Sequence, residues 1–162
     1  MEIYYSLKRV KSADFITAAL KRYCAPKNIA CPDNIHIQKS KGGKPLVSIP
    51  GVHFSLTHTE GLIAVGVWER EVGLDAEAIR EMDYPEILAK FNVKENIDTA
   101  EDFFWWWTKK EAQAKLLDIP LISSLRLKDP LATFTKIADI PGYAITLAYY
   151  GKPSTLTLTE IK

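Results

Sequence analysis

The sequence predicts a mixed α+β fold in a single domain. Residues 2–8 alternate in the manner of a strand, residues 101–117 have the length and the bounding signals of a helix, and residues 131–161 contain short strand-like segments between turns. The chain has 162 residues, which is enough to bury one hydrophobic core. Strands and helices are therefore expected to pack together in one unit that spans residues 1–162.

The first half of the chain combines several strands with one helix. The predicted elements are a strand at 2–8, a helix at 13–24, turns at 41–45 and 50–51, a strand at 53–58, and antiparallel strands at 61–68 and 72–75 around a turn at 69–71. Alternation places Ile3, Tyr5 and Leu7 on one face of the first strand. Ser12 or Asp14 is expected to cap the helix.

The second half begins with helices and ends with strands. The predicted elements are one or two short helices at 83–98, a helix at 101–117, strands at 123–128, 131–137, 142–149 and 154–161, and turns at Asp129-Pro130, Pro141-Gly142 and 151–153. The aromatic residues 103–107 go around the whole circumference of the helix predicted at 101–117. Most of them are therefore expected to be buried between layers.

The composition is that of an ordinary globular protein. Hydrophobic residues make up 47% of the chain and charged residues 25%, and no apolar run approaches the ~20 residues of a membrane span. The amino terminus lacks the basic and apolar regions of a signal peptide, so a cytoplasmic location is expected. Cys24 and Cys31 are the only cysteines and are interpreted as free thiols, with a local disulfide as the open alternative.

Charge is unevenly distributed along the chain. Residues 1–50 carry nine basic and three acidic side chains, a net charge of +6, whereas residues 51–104 carry four basic and twelve acidic ones, a net charge of −8. The basic segment indicates a polyanionic ligand or an acidic partner, although most of its lysines are interpreted as solubilising surface residues. General nucleic-acid binding is not expected, because no aromatic and basic stacking motif accompanies the excess.

Asp75 and Glu77 form a pair of carboxylates with strand spacing. Residues i and i+2 of a strand point the same way, so the two side chains share a face. Similar acidic pairs occur at 69–71 and 81–83, and such pairs usually belong to a solvated surface. Asp75 and Glu77 differ because they end an apolar run, where a buried carboxylate needs a partner or a cation.

Glu111 and Lys115 are four residues apart on the predicted helix 101–117, so they lie on the same helix face beside Lys110. A Lys-Lys-Glu sequence on a helix is ordinarily an exposed salt-bridge stripe. If the helix meets the strand that carries Asp75 and Glu77, three carboxylates converge beside two ammonium groups. That combination suits a Mg²⁺ ion held against a polyphosphate, and indicates phosphoryl-group chemistry.

His58 admits two interpretations. It continues the apolar row of Phe54 and Leu56, which is more typical of a core histidine than of a ligand-binding one, while Thr57 and Thr59 point to the opposite face. The following Glu60-Gly61 turn places His58 at a loop edge, where binding sites tend to lie.

Four motifs in order carry a resemblance to a known family. They are Gly43-Lys44-Pro45, Phe54-Ser-Leu-Thr-His58-Thr59, Val72-Gly-Leu-Asp75-Ala-Glu77 and Trp107-Thr-Lys-Lys-Glu111-Ala-Gln-Ala-Lys115. With these motifs the chain resembles the 4′-phosphopantetheinyl transferases of the surfactin-synthetase type. The resemblance implies two similar α/β lobes, approximately 1–80 and 81–162, each a small mainly antiparallel sheet packed with helices, which form a pseudo-dimer within a monomeric protein.

The resemblance also implies an activity. Coenzyme A binds with Mg²⁺ between the lobes in this family, and phosphopantetheine is transferred to a serine of an acyl or peptidyl carrier protein of fatty acid, polyketide or nonribosomal peptide biosynthesis. Adenosine 3′,5′-bisphosphate is released. The family's usual Phe-Asn-Leu-Ser-His-Ser is replaced here by a sequence with Thr57 and Thr59, which keeps both hydroxyls and adds two methyl groups.

Site residues follow from the resemblance by position. Asp75, Glu77 and Glu111 are implied to surround the metal, and Glu111, directly or through a water, to be the base for the incoming serine. The residues implied to contact coenzyme A are Lys110 and Lys115 at the phosphates, Thr57 and His58 at the ribose 3′-phosphate, and Lys44 and Pro45 at the adenine end.

Two other functions are open at this point. A non-catalytic module that binds coenzyme A or a carrier protein would use the same scaffold. A different Mg²⁺-dependent nucleotide hydrolase is disfavoured because the sequence has no Gly-Lys-Ser/Thr phosphate loop.

Overall fold

A computed structural model describes residues 1–127 and 132–162 of the chain. The described elements, in chain order, are β1 (Glu2–Ser6), α1 (Ser12–Cys24), a 3-10 turn (Ala25–Lys27), β2 (Ile37–Lys39), β3 (Pro45–Val47), β4 (His53–Thr59), β5 (Leu62–Trp68), β6 (Val72–Ala78), α2 (Tyr84–Lys90), α3 (Ala100–Leu117), α4 (Leu121–Arg126), β7 (Thr133–Ile137), β8 (Tyr143–Tyr149) and β9 (Thr157–Glu160). The fold is therefore mixed α+β, as the sequence predicts.

The first sheet has the strand order β4-β5-β1-β9. β5 runs antiparallel to β1 and β4, and β9 lies parallel to β1 on its other side. Helix α1 covers one face of this sheet, where Phe15 and Leu20 pack with Tyr4 and Val65 in one buried cluster. The short hairpin of β2 and β3 is separate from this sheet.

The second sheet is antiparallel and has the order β6-β8-β7. Its inner face packs against the first sheet, since Leu74 and Leu147 share a buried cluster with Ile3 of β1. Helix α3 covers the other face, through contacts such as those of Ala112 and Leu116 with Ala148. The order of layers is thus α1, first sheet, second sheet and α3.

Helix α3 lies very close to β6. A Cβ atom added at Gly73 would clash with the carbonyl oxygen of Ala112 and lie 2.6 Å from the backbone nitrogen of Leu116. Glycine is the residue that permits this approach, because it has no side chain. The amino end of α3 is capped by Thr99, whose side chain accepts a hydrogen bond from the backbone of Asp102 at 3.0 Å.

Several sequence predictions are confirmed. The helices predicted at 13–24 and 101–117 correspond to α1 and α3, the strands predicted at 53–58 and 142–149 to β4 and β8, and the helical segment 83–98 contains the single helix α2. Among the aromatic residues of α3, Phe103, Phe104 and Trp106 are buried. Cys24 and Cys31 are free thiols, and burial raises the pKa of the Cys24 thiol to about 11.

The hairpin predicted from 61–68 and 72–75 is wrong. Both segments are strands, but β6 pairs with β8, whereas β5 lies between β1 and β4. Asp75 consequently lies in the middle of β6 rather than at the end of a strand. Sequence proximity favours pairing of neighbouring strands, but here burial of both faces of β6, between the first sheet and α3, decides the outcome.

Three smaller predictions are wrong, and a fourth concerns residues that the structure does not describe. The strand predicted at 123–128 is wrong, because Leu121–Arg126 forms helix α4, and α1 has no side-chain cap from Ser12 or Asp14. Leu7 lies beyond the end of β1 and is exposed. The turn predicted at Asp129-Pro130 lies outside the described residues.

The pairing of strands crosses the midpoint of the chain. β6, from the first half, joins the sheet of β7 and β8, and β9, from the end of the chain, joins the sheet of β1. In the described part of the chain, no helix is long and apolar enough to cross a membrane.

Candidate active site

Asp75 and Lys115 meet where β6 faces α3. The Lys115 ammonium lies 2.7 Å from Asp75 Oδ1, and it also donates to the backbone carbonyls of Leu74 at 3.1 Å and Leu56 at 3.3 Å. Asp75 is only 5% exposed. The structure thus meets the condition set by the sequence for Asp75 and Lys115, since the strand and the helix lie against each other.

The second oxygen of Asp75 is in an unusual position. Asp75 Oδ2 is buried and has no hydrogen-bond partner among the described residues. Burial raises the pKa of the Asp75 carboxyl above its ordinary value, and Lys115 and then Thr57 oppose this shift. A buried carboxylate oxygen without a partner is costly, so this atom can accept a further cation or donor.

Glu111 and Glu77 add negative charge around Asp75. Glu111 is half-buried one turn before Lys115, and its pKa is raised by burial and then by Asp75, with Lys115 opposing and Glu77 adding a smaller increase. Glu77 accepts a hydrogen bond from Thr59 at 3.2 Å and lies 3.8 Å from Arg80. The three predicted metal ligands therefore lie within electrostatic reach of one another.

The side chains of these carboxylates are not arranged to bind a metal ion without moving. Within residues 1–127 and 132–162, no three His, Cys, Asp or Glu side chains are arranged to hold a metal ion as they stand. The donor chemistry nevertheless fits Mg²⁺, which prefers a few carboxylate oxygens and retains water and phosphate ligands. The partnerless Asp75 Oδ2 and the mutual repulsion of Asp75 with Glu111 are the observations that support the fit.

Lys44 and Pro45 share a groove with Glu111 and Lys115. The groove has a volume of about 270 Å³ and also includes Asp118, at the end of α3. Two motifs that lie some seventy residues apart in the sequence thus meet in one depression. Of the three predicted carboxylates, Glu111 lines this groove together with Lys44 and Pro45.

The charge of Lys44 is already paired inside the protein. Lys44 is buried, and its ammonium lies 2.6 Å from Glu71 Oε2 and donates to the carbonyl of Val72 at 3.0 Å. Burial would raise the pKa of Glu71, but Lys44 and His53 outweigh it and hold that pKa below its ordinary value. A phosphate at Lys44 would therefore have to share the ammonium with Glu71.

Thr57 and His58 are separated by the pleat of β4. His58 is exposed and lines a larger groove of about 560 Å³ together with Lys8, Arg9 and Ser12. Thr57 is only 3% exposed, and its hydroxyl is engaged with Asp75 and with the backbone of Ala76. Of the predicted pair, only His58 lies in a basic groove open to a ligand.

Lys110 lies apart from Lys115. Five residues place them about 140° apart around a helix, so they cannot both face β6. Lys110 is buried, with its ammonium 3.5 Å from the carbonyl of Leu127 and 3.9 Å from Glu95. The structure therefore does not bring Lys110 to Asp75.

A contact that the sequence does not predict fixes the loop before Lys44. Ser40 donates to Asp118 Oδ1 at 2.6 Å and accepts the backbone N–H of Lys44 at 3.0 Å, and Gly42 packs directly on Asp118. The Gly42-Gly43 pair is a signal of close backbone approach, but nothing in the sequence names Asp118 as its partner. This contact attaches the Lys44 loop to the end of α3.

No family model matches the chain, and no curated protein sequence matches it.

Proposed function

We propose that this protein is a Mg²⁺-dependent 4′-phosphopantetheinyl transferase that modifies a serine of an acyl or peptidyl carrier protein. The observation that carries the proposal is the convergence of motif residues from distant parts of the sequence. Lys44 shares a groove with Glu111 and Lys115, and Asp75 is ion-paired with Lys115 at 2.7 Å. A basic groove with His58 lies on the other side of β4, where a further phosphate of coenzyme A would be neutralised.

The chain's own residues have distinct roles in this reaction. The serine oxygen of the carrier forms a bond to the phosphorus of the pantetheine phosphate as Glu111 accepts the serine proton. The bond from that phosphorus to the bridging oxygen breaks, and its electron pair leaves with adenosine 3′,5′-bisphosphate. Lys115 stabilises the charge on the leaving phosphate.

The environment of Glu111 suits a proton acceptor. In the metal-free protein, burial and the neighbouring charge of Asp75 raise the pKa of Glu111 and so favour proton uptake by its carboxylate, whereas a bound cation would oppose this shift. When bound, Mg²⁺ would neutralise negative charge on the phosphates, and Asp75, Glu77 and Glu111 are the residues that would hold it.

The proposal includes the two-lobed arrangement of the family. Two sheets, each covered by one long helix, are consistent with lobes of approximately 1–80 and 81–162 that exchange the strands β6 and β9. The groove with Lys44, Glu111 and Lys115 would then belong to the cleft between the lobes, with the protein acting as a monomer.

A transfer assay tests the proposal. The protein is incubated with coenzyme A, Mg²⁺ and a panel of apo acyl and peptidyl carrier proteins, and each carrier is weighed by mass spectrometry. Addition of one phosphopantetheine to at least one carrier is expected. Asp75→Ala and Glu111→Ala should abolish the addition while circular dichroism stays that of the folded protein. No addition to any carrier by folded wild-type protein would overturn the proposal.

A non-catalytic coenzyme A or carrier-binding module is the second candidate. The observation in its favour is that Lys44 and Lys115 are both paired with carboxylates of the chain itself. Calorimetry separates the two functions, because tight coenzyme A binding without transfer to any carrier would favour the module.

A further inference from the structure

Three hydroxyl groups on one face of β4 connect the two sheets. Ser55 Oγ accepts the backbone N–H of Leu74 at 2.9 Å, Thr57 Oγ1 that of Ala76 at 3.1 Å, and Thr59 Oγ1 that of Ala78 at 3.2 Å. Residues 55, 57 and 59 share a face because side chains of a strand alternate. We name this set of three contacts the hydroxyl ladder; it pairs side chains of β4 with the backbone of β6.

Two rungs of the hydroxyl ladder carry a second hydrogen bond. Thr57 donates to Asp75 Oδ1 at 3.2 Å, and Thr59 donates to Glu77 Oε2 at 3.2 Å. A hydroxyl has only one proton to donate. Each threonine hydroxyl accepts a hydrogen bond from a backbone N–H of β6 and donates its own proton to the carboxylate of the preceding β6 residue. Ser55 has no such partner, because the corresponding residue is Gly73.

The methyl group of threonine reinforces this arrangement. A β-branched side chain is restricted at χ1, so Thr57 and Thr59 hold their hydroxyls in one direction more firmly than serine would. Thr57 is 3% exposed and bonded on both sides, which leaves its hydroxyl no free proton for a bound phosphate. Its geometry is that of a residue that orients Asp75.

We propose that Thr57 and Thr59 are positioning residues that orient Asp75 and Glu77 toward a divalent cation, and that Thr57 does not contact the ribose 3′-phosphate of coenzyme A. This inference rests on the proposed function for the identity of the cation site. Removing a group that hydrogen-bonds to a metal-binding carboxylate typically lowers metal affinity about 10- to 100-fold.

Metal affinity measured without substrate provides the main test. Mn²⁺ replaces Mg²⁺ as the probe, and its dissociation constant is measured by electron paramagnetic resonance for the wild type, T57V, T57S, T59V and S55A. T57V should weaken Mn²⁺ binding about 10- to 100-fold, and T57S should restore it to within about threefold of the wild type. S55A is the matched control, since it removes a rung of the ladder that touches no carboxylate, and its Mn²⁺ affinity should equal that of the wild type.

Turnover with two substrates distinguishes positioning from phosphate contact. If Thr57 orients Asp75, T57V lowers kcat by the same factor with coenzyme A and with 3′-dephospho-coenzyme A. If Thr57 binds the 3′-phosphate, T57V raises KM for coenzyme A alone, and that result overturns the proposal. If T57V does not fold, T59V provides the same metal measurement at a half-buried position.

The positioning proposal and the proposed function fail in different ways. Wild-type affinity for Mn²⁺ in folded T57V and T59V, or no Mn²⁺ binding by the wild type, overturns the positioning role. Wild-type protein that transfers nothing to any carrier, but whose Mn²⁺ binding is lost in T57V, supports the positioning role and overturns the transferase.

Discussion

At the scale of single residues, the charges around Asp75 affect both the stability of the folded protein and the candidate site. One of its oxygens is paired with Lys115 and the other has no partner among the described residues. Glu111 stands nearby with a raised pKa. The carboxylates that would bind a cation are therefore held in place against their mutual repulsion, and Lys115 is the internal group that compensates them.

Lys115→Met tests this compensation. The substitution keeps most of the side-chain volume but leaves the Asp75 carboxylate buried without a counter-charge, so we expect a loss of about 3 kcal/mol in the free energy of unfolding at neutral pH. Urea unfolding of the wild type, K115M, D75N and the double variant gives the coupling between the two residues. A K115M protein as stable as the wild type would contradict the pairing.

Glu71 provides a test of pH dependence. Its pKa is held below the ordinary value by Lys44 and His53, against the opposing effect of burial. A carboxyl with a lowered folded-state pKa contributes stability that is present above its unfolded pKa and is lost as the pH falls through the folded pKa. Unfolding free energies measured from pH 7 down to pH 3 should therefore fall less steeply in Glu71→Gln than in the wild type.

The same variant should be less stable at pH 7. Glu71→Gln leaves the buried Lys44 ammonium with neutral partners, which costs about 1–2 kcal/mol since Glu71 itself is half exposed. If the unfolding free energies of the wild type and Glu71→Gln changed with pH in parallel, Glu71 would not be the group that causes the pH dependence.

At the scale of elements, the approach of α3 to β6 determines the site. Gly73 allows the helix backbone to lie against the strand, and Asp75 and Lys115 lie on either side of this contact. A wider spacing would separate the ammonium from the carboxylate. The site is therefore sensitive to a residue that carries no functional group.

Gly73→Ala is expected to destabilise the protein by about 3 kcal/mol, because the new methyl group would clash with the α3 backbone at Ala112 and Leu116. Gly66→Ala is the matched control in β5, where the nearest atom to an added Cβ is 3.5 Å away and the change should cost less than about 1 kcal/mol. Thermal unfolding of both variants gives the comparison, and equal losses would contradict the close approach at Gly73.

At the scale of the whole molecule, the end of the chain completes the first sheet. β9 lies parallel to β1, Ile161 donates its backbone N–H to the carbonyl of Tyr5 at 2.8 Å, and the amino terminus donates to the carbonyl of Thr155 at 2.9 Å. Leu158 packs against the core between the two sheets. The two ends of the chain thus stabilise each other.

Removal of residues 155–162 should lower the melting temperature by about 8 °C or more, because it uncovers the edge of β1 and removes Leu158 and Ile161 from the core. Removal of Lys162 alone serves as the control and should change the melting temperature by less than about 2 °C. Differential scanning calorimetry makes the comparison. A truncated protein that melts with the wild type would show that β9 contributes nothing.

Local patterns were sufficient for most of the elements. Alternation located β4, β6 and β8, and the acidic start and the length of the apolar pattern located α3. The strand prediction at 123–128 is wrong because a short apolar pattern fits either structure. Helix α4 (Leu121–Arg126) is decided by packing on α3, where Ser124 donates to the carbonyl of Lys110.

The sequence by itself determined which residues are candidates for the proposed chemistry and that Asp75 and Glu77 share a face, since the first follows from residue type and the second from the two-residue period of a strand. Only the tertiary structure decided that β6 pairs with β8, that Lys110 reaches the carbonyl of Leu127, and that Thr57 holds Asp75. The physical reason is that backbone hydrogen bonds are the same for every strand. The choice of partner depends on which faces are buried together, and that is a property of the whole fold.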